Sequence, residues 1–332
     1  MAESGSQFRG LDLGTSRIVL ARLQGDRVKF EGHLNAFVEL PYARMTESML
    51  EREGIRFIVE DATILAYGNR VDEFANIFNG DTRRPMQTGL LNPDEPRSLQ
   101  MIEVAIESIC GPAKKGEKLC FSVPAPPPGR ESDLIYHEQT MTQLLESLGY
   151  EIMSLNEGLA VVYAELKDSD FTGIGISFGG GMCNVCVAYL GLPVLTFCTP
   201  RAGDYIDHAA ASVTNETPTT VRLHKESDDF SLTGLTPHAV DQALSVYYND
   251  VVSGVVAGIE TALKKTKKLP NLQDPVPIAF SGGTALPGGF PEELDGAIRA
   301  ADLPIEISEI RRASSSINAT AKGTLVAAML NM

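Results

Sequence analysis

The sequence predicts an α/β protein built from two lobes. Three separate stretches, 8–24, 173–185 and 276–289, place a glycine-containing turn directly after a strand-like apolar run. Between them lie longer segments whose apolar residues recur with the 3.6-residue period of a helix. A chain of 332 residues is also long for a single hydrophobic core, so two lobes are expected.

Composition and charge narrow the classes of function. Acidic residues outnumber basic ones by 43 to 28, which gives a formal net charge of −15. Such a chain lacks the basic surface that nucleic acids and anionic lipids attract, so we expect neither partner. The first residues have no apolar signal core, and no window approaches the roughly 20 apolar residues of a membrane span. The five cysteines lie mostly in apolar runs and fit reduced thiols, so we expect a cytoplasmic protein. The apolar residues 324–330 resemble a buried helix rather than a basic amphipathic membrane anchor, so no direct anchor is expected.

The first half of the chain predicts a hairpin, an inserted subdomain and then alternating helices and strands. Residues 8–24 have the pattern of strand, turn and strand, and 35–85 that of short strands with one short helical piece near 71–78. The elements expected after them are a helix at 97–110, a strand at 118–123, a helix at 132–149, a strand at 152–155 and a helix at 159–166.

The second half begins with another glycine hairpin at 173–185. The elements expected after it are a strand at 194–197, a helix from 207 onward, a long helix from about 237 to 268, a strand at 276–280, a strand at 305–307 and a helix within 318–330. Residues 212–238 are polar with few apolar anchors, and no element is predicted there. No repeat is visible by residue identity, yet each half has a glycine hairpin followed by strands and helices.

The first glycine turn carries groups suited to a phosphate and a metal ion. Asp12 stands near the end of a strand, where its carboxylate can face a metal or the water around it. Gly14, Thr15 and Ser16 follow, and they can present N–H and hydroxyl donors to phosphate oxygens. An ordinary hairpin with a polar turn is the alternative interpretation of this stretch taken alone.

The other two glycine turns have the same chemistry. Gly179, Gly180 and Gly181 form a run without Cβ atoms, so the backbone can approach a ligand closely. Gly282 and Gly283 lie between a strand and a predicted helix, a place where an anion or a nucleoside binds well.

These three turns, with Asn156 and Glu157 shortly before the second, resemble the motifs of the actin-like ATPase superfamily. Their order and spacing are most similar to bacterial actins such as MreB and MamK, and the resemblance covers residues 8–330. It implies a two-lobed, ribonuclease H-like fold with a nucleotide cleft between the lobes. The subdomains that it implies are IA (8–34 with 86–160 and 317–332), IB (35–85), IIA (161–206 with 270–316) and IIB (207–269).

The resemblance also implies roles for individual residues. Asp12 would hold Mg²⁺ through water, and Glu157 would orient the attacking water. The implied nucleotide contacts are Gly14, Thr15 and Ser16 in the first phosphate loop, Gly179, Gly180 and Gly181 in the second, Gly203 and Asp204 beside the phosphates and ribose, Arg222 near the ribose, and Gly282, Gly283 and Thr284 at the adenosine. Gly323 would allow two interdomain helices to cross closely.

Two positions depart from the family pattern. Ser177 stands where the family has an aspartate that arranges magnesium and water. The loss of this charge should leave nucleotide binding possible but slow hydrolysis, so we expect a weakened ATPase in which Ser177 takes the catalytic aspartate's place. The acid and the cation that contact ribose in MreB fall near Thr219 and Arg222, of which only Arg222 keeps the charge.

The resemblance implies a cytoskeletal protein that binds ATP or ADP with Mg²⁺ and polymerises head to tail with copies of itself. GTP is an alternative nucleotide, and the cargo or adaptor protein is not specified by any motif. One alternative is a degenerate nucleotide-binding scaffold of the FtsA or PilM type that recruits partners, which Ser177 favours. Another is a relative of small-molecule kinases or phosphatases, although no aspartate that could activate a substrate hydroxyl is identifiable.

Overall fold

A computed structural model describes residues 7–77, 82–234, 237–266 and 274–332 of the chain. The strands are β1 (Phe8–Leu13), β2 (Arg17–Gln24), β3 (Arg27–Leu34), β4 (Phe37–Pro41), β5 (Arg56–Glu60), β6 (Thr63–Tyr67), β7 (Met86–Gln87), β8 (Leu90–Leu91), β9 (Lys118–Val123), β10 (Glu151–Asn156), β11 (Gly173–Phe178), β12 (Cys183–Tyr189), β13 (Leu192–Thr199), β14 (Val276–Ser281) and β15 (Ile307–Arg312). The α-helices are α1 (Arg44–Glu53), α2 (Val71–Ile77), α3 (Ser98–Cys110), α4 (Glu131–Ser147), α5 (Glu157–Glu165), α6 (Gly203–Thr214), α7 (Pro218–Lys225), α8 (Ala239–Lys265), α9 (Phe290–Ala300) and α10 (Ala319–Asn331).

Two five-stranded sheets share one topology. Their strand orders are β10-β9-β1-β2-β3 and β13-β12-β11-β14-β15. In each sheet three strands form an antiparallel meander, and two later strands add in parallel beside the first strand of that meander. Helices between the parallel strands supply the long connections that parallel pairing needs. The α/β class with two lobes is thus confirmed. The two halves of the chain, in which no repeat is visible by residue identity, repeat the same sheet topology.

A third sheet lies within the stretch where the sequence predicts an inserted subdomain. Strands β4, β6 and β5 form it, and it shares a small core with α1 and α2. The four subdomain limits implied by the resemblance stay a prediction. Parts of three of them lie outside the described residues: 78–81 of IB, 235–236 and 267–269 of IIB, and 270–273 of IIA.

The core of the second lobe is built around α8. Its apolar stripe is buried from Val240 to Leu263 and packs with the inner face of β11, β12 and β14. The helix runs from Ala239 to Lys265, slightly shorter than predicted, and residues 267 and 268 of the predicted span lie outside the described residues.

Helix α7 lies within 212–238, the stretch for which no element is predicted. Thr217 caps its N-terminus by accepting a hydrogen bond from the Thr220 N–H, and Pro218 occupies the first turn. Both are strong helix-start signals, but the helix has so few apolar residues that no periodicity reveals it.

Helices α5 and α10 cross at the centre of the molecule. A Cβ added at Gly323 would lie 1.8 Å from the Ala160 carbonyl oxygen, so only glycine fits at this crossing. A Cβ at Gly158 would lie 2.6 Å from the Cys186 backbone nitrogen, so α5 also lies directly against β12. The expected close crossing at Gly323 is thus present. All five cysteines are buried and unpaired.

Candidate functional site

One cavity of about 610 Å³ lies where the turns of the two large sheets face each other. Its size is in the range of small-molecule and cofactor sites. Every site residue predicted from the sequence lines it: Asp12, Gly14, Thr15, Ser16, Glu157, Ser177, Gly179, Gly180, Gly181, Gly203, Asp204, Arg222, Gly282, Gly283 and Thr284. The fold therefore brings together residues that are up to 272 positions apart in the chain.

The first two glycine turns have matching geometry. The Gly14 N–H donates to the Arg17 carbonyl oxygen at 2.9 Å, and the Gly179 N–H donates to the Met182 carbonyl oxygen at 3.0 Å. Each turn thus closes a tight hairpin with two residues at its tip. The tips abut, because a Cβ at Gly180 would lie 2.2 Å from the Ser16 Oγ. A side chain in the second turn would therefore displace the first.

Hydrogen bonds tie the third turn and the start of α6 to the second turn. The Thr284 hydroxyl donates to the Gly179 carbonyl oxygen at 2.8 Å, and the Gly203 N–H donates to the same oxygen at 3.1 Å. Gly282 has a φ of +106°, and a Cβ there would lie 2.0 Å from the Phe178 carbonyl oxygen. The three turns and the α6 N-terminus therefore form one connected surface around the cavity.

Two carboxylates face this surface, the buried Glu157 and the half-buried Asp12. Ser122 donates to Asp12 Oδ1 at 2.9 Å, while Asn184 Nδ2 and Ser177 Oγ donate to Glu157 Oε2 at 3.0 and 3.3 Å. Burial raises the pKa of Asp12 and, still more, that of Glu157, on which the negative charge of Asp12 also acts. The raised pKa values mean that the ionised pair lacks a compensating positive charge.

This carboxylate pair fits a divalent cation. Among the residues that the structure describes, neither Asp12 nor Glu157 has an ion-pair partner. Hard cations such as Mg²⁺ prefer oxygen ligands and usually keep several waters, for which a cavity of this size has room. The residues present are therefore suited to a hydrated metal ion.

Three cationic side chains at the site pair with acids. Arg84 contacts Asp204 at 2.9 Å and Ser16 Oγ at 3.2 Å. The other two pairs are Arg222 with Asp72 at 2.7 Å and Lys225 with Asp207 at 2.7 Å. Arg222 thus links α7 to α2, and it is both a cavity-lining residue and an ion-pair partner.

Sequence reasoning missed the side chains that position the two carboxylates. Ser122 lies on β9 and Asn184 on β12, and both are buried polar residues inside strands, which is the signal that could have pointed to them. Asn184 is itself fixed, since its Oδ1 accepts from the Ala125 N–H at 2.8 Å. Thr219 is exposed and does not line the cavity, whereas Glu226, which directly follows α7, does.

The two-lobed fold with three turns around a cleft is the actin-like fold, and solved structures confirm this. The chain is similar to the MamK double helical filament, with a TM-score of 0.69 and 17% identity over 97% of this chain and 98% of that one. It is also similar to MreB 5 of Spiroplasma citri bound to AMPPNP (TM-score 0.66, 14% identity, 96% and 94% covered). The ethanolamine utilization protein EutJ from Carboxydothermus hydrogenoformans follows, with a TM-score of 0.53 and 17% identity over 96% and 89%.

Within this fold the chain belongs to a particular family. Residues 8–328 match the model of the Volactin family, and the protein is a member of it. No curated protein matches the chain. None of the described helices is long and apolar enough to cross a membrane.

Proposed function

We propose that this protein is an actin-like cytoskeletal protein that binds ATP with Mg²⁺ in its cleft and polymerises in response. The observation that supports the proposal is the single connected surface formed by three glycine turns beside two carboxylates, Asp12 and Glu157, that have no ion-pair partner among the described residues. Glycine turns offer N–H donors to phosphates, and the carboxylates offer oxygens to a hydrated cation.

In this proposal the phosphates lie between the tips of the two hairpin turns. Thr15 and Ser16 supply hydroxyl donors, and Gly180 and Gly181 supply backbone N–H groups. The tips abut, so a triphosphate has to part them, and its γ-phosphate then touches both lobes. The adenosine lies along the third turn, beside Gly282 and Gly283 and the side chains of Leu286 and Pro287 that follow.

When bound, Mg²⁺ would offset the negative charges of the phosphates and of the Asp12–Glu157 pair. Asp12 would hold the ion, and Ser122 fixes this carboxylate near the first turn. Glu157 orients the attacking water and accepts its proton, for which a carboxylate at the start of α5 is chemically suited.

Hydrolysis is slow in this proposal. Ser177 is nearly fully buried, and it offers a hydroxyl to Glu157 where the family pattern has a carboxylate. The site therefore has one negative charge fewer near the metal and water, which lowers turnover more than nucleotide affinity.

Polymerisation follows from closure of the cleft. The Arg84–Asp204 and Arg222–Asp72 pairs already span it, so the relative position of the lobes depends on groups at the nucleotide site. A γ-phosphate that touches both lobes biases such a two-state element, and one closed shape can repeat head to tail into a filament. MamK, to which this chain is similar, has been solved as a double helical filament.

A nucleotide titration tests the proposal. Wild-type protein should bind a fluorescent ATP analogue with Mg²⁺, and the Asp12→Ala variant should bind it more weakly only when Mg²⁺ is present. Asp26→Ala, in the exposed turn between β2 and β3, is the matched control. Equal loss of binding by Asp12→Ala in chelator would contradict the metal role. Competition with GTP shows whether the cleft prefers adenine or guanine.

Ser177 also favours a second candidate, a binding scaffold that holds nucleotide or none and recruits partners. The two candidates differ in two readouts, filament formation and phosphate release. A scaffold gives no filaments in ATP and Mg²⁺ and releases no phosphate, whereas the cytoskeletal protein assembles.

A further inference from the structure

Two of the chain's five histidines meet outside the nucleotide cleft. His224 lies in the last turn of α7, and His238 occupies the position just before α8. Asp241 follows three residues later, in the first turn of α8, and residues three apart lie on one face of a helix. The sequence separates His224 from the other two, and the fold brings the three together.

The side-chain atoms of this cluster are close enough to share one ion. His224 Nε2 lies 2.5 Å from Asp241 Oδ1, and the two imidazole rings are 5.6 Å apart between centroids. One ligand atom from each residue lies within 4.8 Å of the others. Zinc bonds to nitrogen and carboxylate oxygen are about 2.0–2.2 Å long, so small side-chain rotations suffice to place all three around one ion.

We propose that His224, His238 and Asp241 form a binding site for a divalent transition-metal ion such as Zn²⁺. Imidazole nitrogen with one carboxylate is a donor set of Zn²⁺, Co²⁺ and Ni²⁺, whereas Mg²⁺ takes oxygen ligands. Asp241 is buried, His224 is half-buried and His238 is exposed, so the ion has a route of entry and an open side for water.

The site is separate from the nucleotide cavity, since none of the three residues lines that cavity. It is nevertheless adjacent to it along α7, because the next residue, Lys225, pairs with Asp207 and donates to the Gly203 carbonyl oxygen at 3.2 Å. An ion held by both helices would fix α7 against α8. It would stabilise this part of the second lobe whether or not nucleotide is bound.

Metal titration of the purified full-length chain, stripped with chelator and without nucleotide, tests the site. The wild type should bind one Co²⁺ per chain with the visible absorption of low-symmetry coordination, and Zn²⁺ should displace it. The His238→Ala variant should bind at least tenfold more weakly, and Asp241→Asn should show a smaller loss. His238 is exposed, so its removal leaves the core intact.

One control separates this site from the other histidines. His208→Ala removes an exposed histidine on α6. It should bind Co²⁺ as the wild type does, and Zn²⁺ should raise its melting temperature but not that of His238→Ala. Identical Co²⁺ titrations for the wild type and His238→Ala, or no saturable binding by the wild type, would show a hydrogen-bonded cluster only and overturn the proposal.

Discussion

The Arg84 guanidinium lies 2.9 Å from the Asp204 carboxylate and joins the two sides of the cleft. Arg84 comes from the segment just before β7, and Asp204 lies in the first turn of α6. The same guanidinium nitrogen is 3.2 Å from the Ser16 hydroxyl, at the tip of the first turn. An arginine is therefore held next to the place where our proposal puts the phosphates.

We predict that Arg84→Gln lowers the affinity for ATP about tenfold, which corresponds to about 1.4 kcal/mol. Only the affinity for ATP should fall, because the positive charge of Arg84 offsets the negative charges near the triphosphate. The affinity for adenosine, which has no phosphate, should be unchanged. Competition titrations with ATP and adenosine measure this. Arg22→Gln, in an exposed pair with Glu31, is the control, and an equal effect on both ligands would refute a phosphate role for Arg84.

Glu157→Ala should lower any ATPase activity at least tenfold while nucleotide binding is preserved. The reason is that Glu157 is the one buried carboxylate in the cavity that Ser177 and Asn184 both orient. Phosphate release at saturating ATP is the measurement. Glu103→Ala, an exposed change on α3, should behave as wild type, and retained turnover in Glu157→Ala would mean that another group positions the water.

Ser177→Asp should raise the hydrolysis rate and shorten filament lifetime. The new carboxylate restores the family's negative charge beside Glu157. The site then holds three carboxylates, with Asp12 and Glu157, and their mutual repulsion is relieved only when Mg²⁺ is bound. The variant should therefore melt at a lower temperature than wild type in chelator. Ser177→Asn has a similar shape without the charge, and a rate equal to that of Ser177→Asp would show that charge is not the missing factor.

The buried imidazole of His137 should make the fold less stable in mild acid. It is fully buried on α4, neither ring nitrogen has a hydrogen-bond partner among the described residues, and burial lowers its pKa from 6.5 to about 4. The unfolded chain takes up the proton at higher pH than the folded chain does. Stability is therefore unaffected above pH 6.5 and falls as the pH drops from 6.5 towards 4.

Between about pH 7 and 5.5 this histidine should lower the free energy of unfolding by about 1.2 kcal/mol. His137→Leu removes the titrating group from an apolar site, so its denaturation midpoint should change less over this interval. His208→Ala, from an exposed position, should follow the wild type. If His137→Leu and wild type lose stability in parallel, a different group controls the acid response.

Gly323→Ala should destabilise the fold by about 3 kcal/mol, the upper end of the usual range for overpacking. Its Cβ would meet the Ala160 carbonyl oxygen, which belongs to the backbone of α5 and cannot move aside. Gly254→Ala on α8 is the matched control, since a Cβ there meets open space and should stabilise the helix by about 0.5–1 kcal/mol. Denaturation without nucleotide compares the two, and similar effects would contradict the tight crossing.

The sequence predicts the fold and the loops of the candidate site because both depend on local patterns. Glycines after strands, and apolar periods in helices, identify the turns that line the cavity. The fixed positions of Asp12 and Glu157 depend instead on Ser122 and Asn184, which are 110 and 27 positions away. Such pairings arise from sheet registration between distant strands, and no local motif records them.

The same limit applies to the ion pairs across the cleft. The resemblance to bacterial actins implies that Arg222 contacts the ribose, but its partner Asp72 lies 150 residues earlier on another helix. Helix α7 itself is missed because its end signals are clear while its apolar residues are too few to give a period. The ion pair across the cleft and the position of α7 therefore depend on long-range packing, which a local sequence pattern does not record.

Electron microscopy of negatively stained protein, purified and mixed with ATP and Mg²⁺, tests the central claim most directly. The account predicts filaments with ATP and Mg²⁺, and none without nucleotide or with the Asp12→Ala variant in ATP and Mg²⁺. The absence of filaments across a range of salt concentrations, in protein that a titration shows to be saturated with ATP, would contradict it.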